Sequence, residues 1–164
     1  MDAWREELNA IIGARHEGRV AHVLDRLRAL DARHPNVADV AYELAWTLEE
    51  NDQLADARPH YEKAIALGLP PNLHSGALIG LGSTLRGLGD PERAADVLRG
   101  GQLQFPDNPE FAVFLALALH DLGQHAEAMK LLLTTIADTA DDPGLTAYQR
   151  TIRHEASKLA AAGP

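Results

Sequence analysis

The chain has 164 residues, with 15 Lys and Arg against 24 Asp and Glu for a net charge of −9, and no cysteine. That is the length of one ordinary domain, and it excludes both a disulfide framework and a thiolate zinc site. The apolar share is spent on 28 Ala and 25 Leu with only 6 Val and 6 Ile, helix formers that rule out an all-β fold; the acidic charge, which repels phosphate, rules out nucleic-acid binding through a basic surface.

The segment from Met1 to Glu7 has no basic stretch followed by an apolar one, so no signal peptide is expected. The longest apolar run, Phe111 to Leu119, is nine residues, about half of what a membrane span needs. A cytoplasmic protein with no membrane partner is the expectation. Arg outnumbers Lys by 12 to 3, a bias of GC-rich coding sequences that points to a bacterial source.

In chain order the sequence repeats itself. Residues 4–37 carry weak marks at Ala10-Ile11, Ala14, Gly18, Val23, Leu27, Leu30 and Pro35. Residues 38–71 carry the same marks more clearly, at Ala41, Leu44-Ala45, Leu48, Asp52, Ala57, Tyr61 and Ala64. Residues 75–108 follow with Leu78, Leu81-Gly82, Leu85, Gly89, Ala94 and Leu98, and residues 109–142 with Ala112, Leu115-Ala116, Leu119, Gly123, Ala128 and Leu132. Three extra residues fall around Pro71 to His74, after the helix-stopping Gly68-Leu69-Pro70. Apolar residues recur at helical spacing in each half-frame, so every frame predicts two amphipathic helices about a short turn. The turns fall at Asn51-Asp52, Gly89-Asp90-Pro91 and Gly123-Gln124, with Asp90 as an N-cap and Pro91 as the first helical residue. Pro59 lies inside the second helix of its frame and predicts a local bend there. A further helix is predicted at about 145–162, with Leu145, Tyr148, Ile152, Ala156 and Leu159 on one face and Arg150, Arg153, Glu155 and Lys158 on the other. A repeat array needs such a polar-backed cap over its last apolar face.

These marks resemble the tetratricopeptide repeat, whose 34-residue pattern is W-x₂-L-G-x₂-Y…A-x₃-F…P. The third frame is the nearest, with Leu81-Gly82, Leu85, Ala94, Leu98 and Pro106. Leu48, Leu85 and Leu119 replace the aromatic of the pattern, and Gly101 and Thr135 stand where a late Ala is usual. The strings Tyr42-Glu43-Leu44-Ala45-Trp46, Leu81-Gly82-Ser83-Thr84-Leu85-Arg86 and Phe114-Leu115-Ala116-Leu117-Ala118-Leu119-His120 are similar to a group of small bacterial tetratricopeptide proteins that have no assigned biochemical role. The resemblance implies an all-α, right-handed superhelical solenoid of about four helix-turn-helix repeats plus a C-terminal capping helix, in one domain over 1–164.

No catalytic or cofactor site is expected. Gly80-Leu81-Gly82 follows no strand, lacks the third glycine of a dinucleotide fingerprint, and has no lysine after it for a phosphate loop. No metal site is expected either: His16 and His22 are six apart and His120 and His125 five, whereas ligands on one helix face are three or four apart. The informative surface is the inner face formed by the first helix of each frame. Equivalent positions give the rows Leu8, Tyr42, Ile79, Val113, then Ile12, Trp46, Ser83, Leu117, then Arg15, Glu49, Arg86, His120. Two rows are mainly apolar, and the third alternates charge in a way that also suits ion pairing between repeats. The expected partner-binding groove is Tyr42, Trp46, Glu49, Ile79, Ser83, Arg86, Val113, Leu117 and His120, with a protein or peptide as its ligand. The alternative is self-association, a second copy covering the groove or the Trp4-bearing first frame in a homodimer. Family members that clamp a peptide's terminal carboxylate use Lys and Asn on this face; Leu8 and Ile12 stand there instead, which argues against that ligand.

Overall fold

The computed structural model describes residues 2–17 and 22–159. Among the described residues there are nine helices and no strand: α1 (Ala3–His16), α2 (Val23–Arg33), α3 (Ala38–Glu50), α4 (Leu54–Leu67), α5 (Pro71–Gly87), α6 (Pro91–Gln104), α7 (Glu110–Asp121), α8 (His125–Thr139) and α9 (Pro143–Leu159). Gly18 and residues 160–162, which the sequence places in the first frame and the cap, lie outside the described residues. The chain divides into two compact units, Met1–Leu88 with α1 to α5 and Gly89–Pro164 with α6 to α9. The boundary falls inside the third frame, between its two helices, where the repeat pattern carries no mark of it.

Two of the turns between paired helices are built the same way. Asp52 N–H donates to the Glu49 carbonyl and Gln53 N–H to that of Leu48, both at 2.9 Å; Gly123 and Gln124 repeat this on His120 and Leu119, again at 2.9 Å. This is the Schellman closure, in which a left-handed residue satisfies the last carbonyls of the helix. Asp52, Gly89 and Gly123, equivalent in the three frames, all have positive φ, of 58°, 82° and 75°. Asp90 caps α6 as its side chain accepts from Arg93 N–H, and Pro91 is its first helical residue. The three extra residues enter no loop: they lengthen α5, which begins at Pro71 with His74 N–H on the Pro70 carbonyl at 2.8 Å. α4 runs unbroken through Pro59.

In the first unit the core is formed by Leu8 and Ile11, Leu27 and Leu30, Val40, Leu44 and Leu48, Tyr61, and Ile79 and Leu85. Tyr61 is large, and Gly80 of α5 makes room for it: a Cβ at Gly80 would overlap the ring, with Cε1 2.7 Å away. The second unit solves the same problem with the roles exchanged. Phe111 of α7 is fully buried and seats against Gly101 of α6, where a Cβ would stand 2.7 Å from Cδ1 and Cζ. That is why Gly101 stands at a position where the repeat usually carries Ala. Phe105 stacks on Phe111 at a centroid distance of 6.0 Å and 6° between planes.

His60 of α4 is half-buried, and no protein group reaches its buried Nδ1. Burial holds its pKa below the usual value of 6.5, against the pull of Asp31 and Asp56 upward, while Lys63 and Arg28 push the same way as burial. A histidine with a depressed folded pKa contributes stability that is present above about pH 6.5 and is lost as the pH falls through the folded value. Urea midpoints of the protein should therefore decline on acidification below pH 6.5, and a His60→Gln variant should show a shallower decline over the same range.

Helix α9 packs on α8 by the C-terminal part of the expected face, and its N-terminal part stays out. Ala156 is buried and Ile152 and Leu159 half-buried, whereas Leu145 and Tyr148 are 42% and 65% exposed. The packed stripe is Gln149, Ile152, Ala156 and Leu159. A polar residue sits in it because the Gln149 side-chain amide donates to the Ala137 carbonyl of α8, and Arg153 braces the edge on Asp138 at 2.7 Å. Cutting the chain after Asp142 should expose Ala137 and the α8 surface beneath this stripe. Repeats are stabilised through their neighbours, so a lowered melting midpoint or aggregation of the truncated protein is expected, measured by thermal unfolding and light scattering.

Candidate functional site

In the first unit the inner-face residues come from α3 and α5, with α1 joined to α3 by Arg5 on Asp39 at 3.7 Å and by Arg15. Glu43, Trp46 and Thr47 occupy adjacent turns of α3, so they share a face. Arg15 of α1 reaches all three: its guanidinium donates to Glu43 Oε2 at 3.0 Å and to Thr47 Oγ1 at 3.3 Å, and stands over the Trp46 ring at 4.2 Å from the centroid. Thr47 is in turn fixed by donating to the Glu43 carbonyl at 2.8 Å. Arg15 and Glu43 are nearly enclosed, at 12% and 10% exposure. The desolvation of Glu43 pushes its pKa above the usual carboxylate value, and Arg15 opposes this without cancelling it.

The alternating row is thus an ion pair between repeats, but not along the row. Arg15 pairs with Glu43, two turns before the row position Glu49. Glu49 instead accepts from the buried Tyr61 hydroxyl at 2.6 Å, and burial first, then that carboxylate, drives the Tyr61 pKa far upward. Trp46 is half-buried beneath Arg15 rather than an open indole. Tyr42 is half-buried, 6.3 Å from the Tyr61 ring, with its hydroxyl where a Cβ on Gly76 would be 2.7 Å away. Ile79 is buried at 8% exposure and belongs to the core; Ser83 and Arg86 of α5 are half-buried.

In the second unit, α7 buries Phe111, Ala112, Leu115, Ala116, Ala118 and Leu119. Val113 and Leu117, one turn apart on its other side, are 41% and 40% exposed. The all-apolar stretch Phe111 to Leu119 is therefore only partly enclosed. His120 is exposed and continues that stripe. A second feature escaped the sequence reading: a cleft of about 470 Å³ between α6 and α8, floored by Leu115 and walled by Arg99, Leu103, Lys130 and Leu131. Leu103, 85% exposed at its edge, was legible only as an apolar residue out of phase with Ala94 and Leu98. No group of three or more His, Asp or Glu that could hold a metal occurs among the described residues, and no helix among them is long and apolar enough to cross a membrane.

Consecutive helix pairs with small residues at their crossings and Schellman turns between them define a helical repeat protein. The sequence profile of the tetratrico peptide repeat matches residues 38–159, and the chain belongs to that family. Solved structures agree on the fold. The crystal structure of MamA protein superposes with a TM-score of 0.70 at 18% identity, covering 96% of this chain and 88% of that one. A second crystal structure of MamA gives 0.70 at 19%, over 97% and 91%. The MamA RS-1 ArsTM double mutant gives 0.67 at 19%, over 99% of each chain. No curated protein matches the chain in sequence. Repeats of this family generally serve as non-catalytic scaffolds for protein–protein interaction. The matched region leaves out 4–37, the frame with the weakest marks, although α1 and α2 pair there.

Proposed function

We propose that the chain is a non-catalytic scaffold that binds a peptide or helix of a partner protein through the first helices of its repeats. The observation that carries this reading is the stripe of Val113, Leu117 and His120 on α7, whose two apolar side chains stay about two-fifths exposed on a helix otherwise built for burial. Exposed apolar side chains in a row of this kind mark interaction surfaces. Tyr42, Trp46, Glu49, Ser83 and Arg86 add half-buried aromatic, acidic, hydroxyl and basic groups in the first unit, the residue types that anchor interfaces. Ile79 acts beneath them as core.

The test is a pull-down from the native cell with wild type beside Leu117→Asp and Trp46→Ala, folding checked by dichroism. Loss of a captured protein in folded Leu117→Asp, corresponding to about 2 kcal/mol or more of affinity, supports the reading. Capture unchanged in both variants removes this face as the binding surface. A mass in solution that doubles with concentration, and no longer does so in Leu117→Asp, assigns the stripe to a second copy of the chain instead.

A further inference from the structure

We infer that His120 and His125 form a two-histidine site for a divalent transition-metal ion, with water completing its coordination. Five residues apart on one helix they would diverge. The Schellman turn at Leu122 to Gln124 separates them here, so His120 lies in the last turn of α7 and His125 opens α8. The two rings lie 4.6 Å apart between centroids, tilted by 54°, and their Nδ1 atoms are 3.0 Å from each other. Both side chains are exposed, so an ion reaches them without displacing core.

The nitrogen separation suits a shared ion. With bonds of about 2.05 Å, two imidazole nitrogens at a right angle are about 2.9 Å apart and at a tetrahedral angle about 3.3 Å. The observed 3.0 Å falls within this range, so one ion can take both nitrogens with little movement of either ring; among divalent ions Cu(II) heads the affinity order for imidazole nitrogen. Without metal, one Nδ1 carries a proton and donates to the other. With metal, both Nδ1 lone pairs are donated to the ion, and the proton that lay between the rings moves to Nε2 of its own ring. The bound ion ties the last turn of α7 to the first of α8 and stabilises only the folded chain.

The experiment titrates the full chain with Cu(II), in parallel with His120→Gln and His125→Gln. Both substitutions are at exposed positions, and dichroism confirms the fold. The wild type should bind one equivalent more than either variant, give a paramagnetic-resonance signal with two equatorial imidazole nitrogens, and gain melting temperature with Cu(II) that both variants fail to gain. Zn(II), which lies below Cu(II) in the affinity order, should bind at least tenfold more weakly. Equal stoichiometry in all three proteins overturns the proposal, and so does loss of the extra equivalent in only one variant, because that is a single-histidine site.

Discussion

Replacing Arg15 with alanine is expected to destabilise the first unit by about 3 kcal/mol, as removing one member of a nearly buried ion pair does. The substitution leaves Glu43 at 10% exposure with its carboxylate uncompensated, strips a hydrogen bond from Thr47, and uncovers the face of Trp46. The cation–π contact contributes about 0.5–1 kcal/mol of that total. The pH dependence distinguishes this cause from simple loss of packing. Glu43 already has a folded pKa above its unfolded value, near 4.5. Such a group contributes stability that is present below about pH 4.5 and is lost as the pH rises through the folded value. Without Arg15 the folded pKa rises further, so the deficit of Arg15→Ala against wild type should be largest at neutral pH and shrink towards pH 4.5. Urea unfolding at both pH values measures this. The pair Arg15→Met with Glu43→Leu, which removes both charges and keeps the volume, should recover most of the loss. A deficit independent of pH would mean that the carboxylate is not what Arg15 compensates.

The same residues show where the sequence is readable and where it is not. Helix positions, turns and the Asp90 cap follow from local signals: apolar spacing, Gly or Asp at a left-handed turn position, Pro at a first helical residue. Those signals act over a few residues and survive into the fold. Side-chain partnerships depend on which rotamer meets which neighbour. Counting equivalent positions aligned Arg15 with Glu49, but Arg15 lies on Glu43 and Trp46 because those two share an α3 face with Thr47. Tyr148 reads as part of an apolar stripe, yet Gln149 takes the packed place by finding the Ala137 carbonyl. His120 and His125 are counted as too far apart on any helix, and a turn of fixed geometry brings them together. Of the expected groove, Ile79 went to the core, Tyr42 and Trp46 to half-buried packing, and Val113, Leu117 and His120 remained on the surface.

Gly101→Ala should destabilise the second unit by roughly 2 kcal/mol, although on an exposed helix the same change adds about 1 kcal/mol of helix propensity. The reason is volume. A Cβ at this position would overlap the fully buried Phe111 ring, and Phe105, stacked on the other ring at 6.0 Å, limits how far Phe111 can retreat. Overpacking a filled core costs about 1–3 kcal/mol, occasionally more. The equivalent positions of the second and third frames hold Ala64 and Ala77, with no aromatic ring to accommodate. This makes the sign of the effect conditional. Phe111→Ala alone should cost about 3–5 kcal/mol through the cavity it leaves. In that background Gly101→Ala should become stabilising, by up to about 1 kcal/mol, because the clash is gone and the propensity gain remains. A double-mutant cycle by urea unfolding therefore carries a coupling energy of about 3 kcal/mol between two residues ten apart in sequence. Gly101→Ala costing the same in both backgrounds would show that the glycine serves the backbone of α6 rather than the Phe111 ring.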